Sequence, residues 1–176
     1  NADSASAELV VAALTFEKAI DPAIAPQDSA VNAIFTIRNP DPANGVTGLS
    51  FSDDLDAFVS GMTATNTSIA DVCGTGSSVD GANTITLTGG SLAGSGSCTF
   101  QVALNIPAGT SGDFTNLTSA LSGQVDGIDI SVPEASADLS VPAPPDFSKA
   151  FDPTSIPGDG TSVLTFTIDN TAQPLP

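Results

Sequence analysis

The sequence contains no histidine, tryptophan or tyrosine, and only three basic residues, Lys18, Arg38 and Lys149, against twenty carboxylates. Each shortage excludes something. Without imidazole there is no Ser-His-Asp or Cys-His catalysis, no histidine-ligated zinc, and no side chain that titrates near neutrality unless its surroundings shift it. Three cations cannot neutralise a phosphate backbone, and anionic headgroups repel a net charge of -17, so nucleic acid and membrane surfaces are poor partners. The lack of Trp and Tyr disfavours a sugar-stacking site. The longest apolar runs, such as Leu9 to Leu14, fall far short of the ~20 residues that span a bilayer, so no membrane insertion is expected in this segment. The residues before Leu9 are small and polar with no basic run, so any targeting element would lie outside this stretch.

What is present points to a folded β protein. Hydrophobic residues make up 40% of the chain and charged ones only 13%, enough apolar surface to bury a core despite the acidity. Thr, Ser, Val and Ile alternate in short runs that Gly, Pro, Asn and Asp interrupt at close intervals, the rhythm of an all-β sandwich or barrel.

The chain also resembles itself. Phe16 to Asn39 reads FEKAIDPAIAPQDSAVNAIFTIRN and Phe147 to Asn170 reads FSKAFDPTSIPGDGTSVLTFTIDN; aligned without gaps at an offset of 131 they agree at 11 of 24 positions. A slip of one residue extends the match upstream, where Ser6-Ala7-Glu8-Leu9 answers Ser136-Ala137-Asp138-Leu139. The expected organisation is one complete unit over 6–135, a Pro-rich joint over 136–146 that includes Pro142-Ala143-Pro144-Pro145, and the truncated start of a following unit over 147–176. The opening strands of a unit leave an apolar face and unpaired edges. The segment is therefore expected to come from a longer array or to complete a neighbour.

Within one unit about eight strands fit. Leu9 to Ala12 and Leu14 to Ile20 read as entry strands, ended by Pro22 and Pro26. Val31, Ala33, Phe35 and Ile37 share one face, and Asn39 to Gly45 is turn chemistry. Leu49, Phe51, Asp53 and Leu55 share a parity, which places a carboxylate on an apolar face. Met62 to Val72 and Asn83 to Thr88 follow, and Cys98, Phe100, Val102, Leu104 and Ile106 give the clearest inward face; Phe114 to Leu121 and Ile128 to Val132 close the unit. Size, strand count and parity predict an immunoglobulin-like β-sandwich.

The pattern F-x-K-x-[IF]-D-P-x-x-x-P, the strand ending T-I-x-N, FSDDL at 51–55, C-G at 73–74, GSLAGSGSCTF at 90–100 and GDFTNLTS at 112–119 together resemble one family. It is the family of conserved immunoglobulin-like repeats of unknown function found in tandem in bacterial and archaeal cell-surface proteins. The likeness covers essentially the whole unit, with one departure: Asp56 stands where a proline is usual. The resemblance implies an extracellular stalk or fibre role at a prokaryotic cell surface and names no ligand.

Four groups of residues invite a chemical reading. Cys73 and Cys98 are expected to form a disulfide in an extracellular sandwich, with two buried free thiols as the plainer alternative. The two lysines, Lys18 and Lys149, occupy the same repeat position, each between apolar neighbours of matching parity. A buried lysine needs a partner or a depressed pKa. One reading is an intramolecular isopeptide bond, with Lys18 as nucleophile, Asp53 as proton shuttle and Asn116 as acceptor. Other readings are an ion pair of Lys18 with Asp53 or Asp54, or a snorkelling lysine. Asp54, Asp56, Asp126 and Asp129 are weak calcium candidates, since no twelve-residue calcium loop is present; no other cofactor is implied. Asn66-Thr67-Ser68 and Asn116-Leu117-Thr118 fit the glycosylation triplet.

The expected function is a non-enzymatic structural module of an extracellular tandem-repeat stalk, fibre or adhesin shaft, covalently stapled for mechanical stability. Its partners would be neighbouring repeats or protomers of the same protein. The alternative is a subunit of a surface filament assembled by donor-strand complementation through the C-terminal segment.

Overall fold

A computed structural model describes residues 13–171. The entry strand proposed at Leu9 to Ala12 and the repeat match at Ser6 to Leu9 lie outside the described residues. The fold is all-β, as the sequence predicts: strands β1 (Thr15–Asp21), β2 (Ala30–Arg38) and β3 (Val46–Asp54) are followed by a single helical turn, α1 (Leu55–Phe58). Two short strands, β4 (Thr63–Ala64) and β5 (Ile69–Ala70), stand where the sequence suggested one strand over Met62 to Val72. Then come β6 (Ser78–Asp80), β7 (Thr84–Leu92), β8 (Ser97–Asn105), β9 (Gly112–Leu117), β10 (Leu121–Val125), β11 (Ile128–Val132), β12 (Ser136–Val141), β13 (Asp146–Asp152) and β14 (Val163–Asp169).

The strands assemble into antiparallel sheets: one ordered β1-β2-β8-β4, one ordered β11-β10-β3-β7-β6-β5, and two pairs, β12-β9 and β13-β14. Period-two alternation fixes the layers. Val31, Ala33, Phe35 and Ile37 of β2 and Phe100, Val102 and Leu104 of β8 are buried, and the register sets Phe35 opposite Phe100 and Ile37 opposite Cys98. Phe51 of β3 meets them from the second sheet, its ring centroid 4.7 Å from Phe16 and 5.0 Å from Phe35. These tilted ring pairs fill the space between the sheets.

Strand β3 keeps its buried set in phase through a bulge. Its register against β7 shifts between Val46 and Leu49, where Gly48 has φ +64°, so both residues face inward although they are three apart. Leu49 then fits because its neighbours are small. A Cβ on Gly90 would lie 2.9 Å from Leu49 Cβ, and one on Gly123 would lie 2.9 Å from Leu49 Cδ2.

The chain from Ser136 to Val141, which the sequence placed in the joint, is strand β12. It pairs with β9, Leu139 opposite Phe114, and buries Leu139 and Val141. Hydrogen bonds from Ala25 N to Ser140 O and from Ser140 N to Ala23 O also fasten it to the segment after β1. Composition misleads here because the Pro cluster begins only at Pro142, and a short Ser/Ala strand next to it carries few apolar residues. The hairpin β13–β14 reproduces the register of β1–β2: Phe147 opposite Ile168 answers Phe16 opposite Ile37, and Lys149 opposite Phe166 answers Lys18 opposite Phe35. Each copy also has a cis Asp-Pro bond after its first strand and an aspartate with positive φ, Asp28 and Asp159, in its turn.

Candidate functional site

Three strands from three different sheets converge on one buried carboxylate. Asp53 lies near the end of β3, on the inward parity set by Leu49 and Phe51, and its side chain is fully buried. Lys18 of β1 has its side chain fully buried as well, with Nζ 2.5 Å from Asp53 Oδ2. Asn116 of β9 is buried and donates from Nδ2 to the same Oδ2 at 3.3 Å. An isolated bridge between Asp53 and Thr118 brings the end of β9 alongside β3.

The surroundings are apolar. Lys18 Nζ stands 5.3 Å from the Phe35 ring centroid and 6.0 Å from that of Phe58, and Phe58 on α1 meets Phe114 of β9 edge-on. Helix α1 closes the end of this box because Asp54, the residue after Asp53, turns outward and caps it, accepting from the backbone N–H groups of Asp56 and Ala57. Adjacent aspartates thus play opposite roles, one buried against lysine and one exposed at a helix start.

Burial dominates the electrostatics. It lowers the Lys18 pKa against the opposing pull of Asp53, and it raises the Asp53 pKa against the opposing pulls of Lys18 and Asn116. Asp53 Oδ1 is buried and has no hydrogen-bond partner, which further disfavours the ionised carboxylate. Both shifts favour the neutral pair, amine beside acid, over the ion pair.

The other predicted residues fall as follows. Cys73 and Cys98 form a disulfide with a Cα–Cα distance of 5.3 Å, linking the loop between β5 and β6 to β8 in the opposite sheet. Of the calcium candidates, Asp54 caps α1, Asp56 accepts from Gly61 N, Asp129 accepts from Gln124 Nε2, and Asp126 has positive φ in the β10–β11 turn. Among the described residues no three acidic, Cys or His side chains gather as a metal site would require. Asn116 is too buried to accept a glycan in the folded chain, and Asn66 Oδ1 is taken up by the backbone N–H of Ala103. Sequence reasoning passed over Asn39, whose buried amide donates to the carbonyls of Asn44 and Ala93 and fastens the β2–β3 turn to the turn before β8. Its signal was the T-I-x-N ending, which both copies share.

The fold and this closed interior define an antiparallel β-sandwich module with its polar chemistry buried inside the sandwich. The chain belongs to the family described as a domain of unknown function, DUF7933, which matches residues 15–141. No curated protein matches it. Among solved structures it is similar to BcpA, the major pilin subunit of Bacillus cereus. A variant of that pilin gives a TM-score of 0.58 at 11% identity, covering 90% of this chain and 54% of that one. A second BcpA structure gives 0.56 at 12% identity, covering 77% and 41%. The chain thus spans about half the length of the pilin chains it matches, and at these identities the likeness is one of fold. A type I cohesin from Pseudobacteroides cellulosolvens aligns with a TM-score of 0.48 at 17% identity, over 73% of this chain and 94% of that one.

Proposed function

We propose that the chain is a non-enzymatic, load-bearing module of an extracellular stalk or filament built from repeats of the same unit. The observation that carries this reading is the hairpin β13–β14. It copies β1–β2 strand for strand, yet Phe166 is 60% and Ile168 73% exposed, while their counterparts Phe35 and Ile37 are 0% exposed. Apolar residues laid out on one hairpin in the register of a buried one form half of a sandwich face. The occupant that fits is a set of strands like β8, which extends the sheet beside β2 in the complete unit, and β3, whose Phe51 packs across it on Phe16 and Phe35. That set is another copy of this unit. The pairing of β12 with β9 supports an interlock between units, since the match of Ser136–Leu139 to Ser6–Leu9 would assign β12 to the second copy. Similarity in fold to a pilin subunit supports a structural role of this kind.

The test is a chain in which residues 40–141 are repeated after Asn170. The backbone amides of β13 and β14 should then become as protected from hydrogen exchange as those of β1 and β2. If they stay unprotected, the hairpin is not the start of a second sandwich. The filament alternative, in which the hairpin inserts into another protomer, is favoured by the same exposed face. It makes a different prediction: the unextended chain forms concentration-dependent polymers in sedimentation, whereas the stalk reading leaves it without ordered assembly.

A further inference from the structure

We propose that Lys18 and Asn116 are joined by an intramolecular isopeptide bond, formed by the chain itself with Asp53 as the proton shuttle. Lys18 Nζ and Asn116 Nδ2 both donate to Asp53 Oδ2, at 2.5 and 3.3 Å. The attacking nitrogen and the leaving nitrogen therefore share one acceptor atom. That is the position a shuttle needs, since it must take a proton from the first and deliver one to the second. Lys18 is the only lysine or arginine in a salt bridge among the described residues, and it sits where water is excluded by Phe35 and Phe58.

The chemistry balances without any added reagent. A proton passes from the Lys18 ammonium to Asp53, leaving a neutral amine and a neutral acid, the forms that burial favours. The Nζ lone pair attacks Cγ of Asn116, and the carbonyl electrons move to Oδ1. The acid protonates Nδ2, and its carboxylate then takes a proton from the newly bonded Nζ. The carbonyl re-forms, the Cγ–Nδ2 bond breaks and ammonia departs. The products are a secondary amide between Nζ and Cγ, one ammonia and a neutral Asp53. Nothing is oxidised or reduced. The ionisable amine, which costs desolvation whenever it is charged, is gone at the end.

The bond would join β1 to β9, strands that belong to different sheets and share no backbone ladder. It would enclose the whole segment from Lys18 to Asn116, the disulfide included. In the second copy, Lys149 holds the position of Lys18 but is exposed on its hairpin, so it has neither the acid nor the amide that the reaction needs.

The intact chain decides the matter. After full reduction and denaturation, its mass is expected to fall short of the sequence by one ammonia, about 17 Da. Proteolysis should release a branched peptide joining Lys18 to Asn116. K18M, N116A and D53A should each carry the full mass. The branched peptide is read from the unsubstituted chain, so the test survives even if a variant fails to fold. A reduced mass equal to the sequence overturns the proposal. So does a deficit that maps to Asn44, where cyclisation beside Gly45 would lose the same ammonia without forming a branch. A D53A chain that still forms the branched peptide overturns the role given to Asp53. None of these results bears on the hairpin experiment above, so the bond and the stalk reading stand or fall separately.

Discussion

Lys18 and Asn116, on strands that never pair, donate to the same carboxylate oxygen of Asp53. That relationship places the most expensive polar groups of the molecule between the sheets, where an apolar trio would have packed more cheaply. Breaking such a buried pair is costly because the survivor stays desolvated and unpaired. In the N116A background, where Lys18 and Asp53 are purely noncovalent, D53A should lose about 3–5 kcal/mol of stability. K18M combined with D53L should recover most of that loss. Urea denaturation of the three chains measures both, and equal stabilities for D53A and the double replacement would contradict the account.

The same pair makes a prediction about pH. With its pKa raised by burial, Asp53 in the folded chain takes up a proton at a pH where the unfolded chain is still ionised. The folded state therefore binds more protons between the raised value and the ordinary carboxylate range, and stability falls as pH rises through that window. Lys18, with its pKa lowered by burial, binds fewer protons when folded, so stability rises as pH climbs from the lowered value to the ordinary lysine range. Stability of N116A measured against pH should show both slopes, and adding K18M and D53L should remove them. Slopes that persist after both replacements would assign them to other groups.

The disulfide should contribute through the unfolded chain. Cys73 and Cys98 are 25 residues apart, and closing a loop of that size is worth roughly 3–4 kcal/mol in the chain-entropy treatment. Replacing both by Ala should lower stability by about that amount. If the Lys18–Asn116 bond is present the loss should shrink, because the disulfide loop lies inside a segment already closed. The two effects separate when the Cys replacements are made with and without N116A.

Gly90 offers a test of the packing beside the bulge. A methyl group there would press on Leu49 Cβ at 2.9 Å, with Cys73 Cβ at 3.5 Å. G90A should cost about 1–3 kcal/mol, as overpacked cores do. L49G made together with G90A should cost less than the two replacements summed, since removing Leu49 Cβ removes the atom the new methyl group presses on. Simple additivity in the same denaturation series would show that the contact carries no strain.

Much of this could be read from the sequence, for physical reasons. Alternation gave the inward faces of β2 and β8, because a side chain every second residue meets the core. The shared parity of Phe51 and Asp53 put a carboxylate on an apolar face, and the recurrence of Lys18 and Lys149 at one repeat position pointed to a lysine with a structural task. The closing strand β12 was missed because it pairs with β9 rather than with its sequence neighbours, a long-range choice that local pattern does not encode. The split of Met62 to Val72 into β4 and β5 was hidden for a similar reason. Those short strands pair with different sheets, β4 with β8 and β5 with β6, so apolar content ran on while the backbone changed partners.

The most direct test of a load-bearing role is to pull the chain end to end by single-molecule force spectroscopy, with the disulfide reduced. The unsubstituted chain should extend without ever releasing the segment between Lys18 and Asn116. N116A should release it and gain on the order of 300 Å of contour length. Equal final extensions for the two chains would contradict the claim that the sandwich is locked from its first strand to β9.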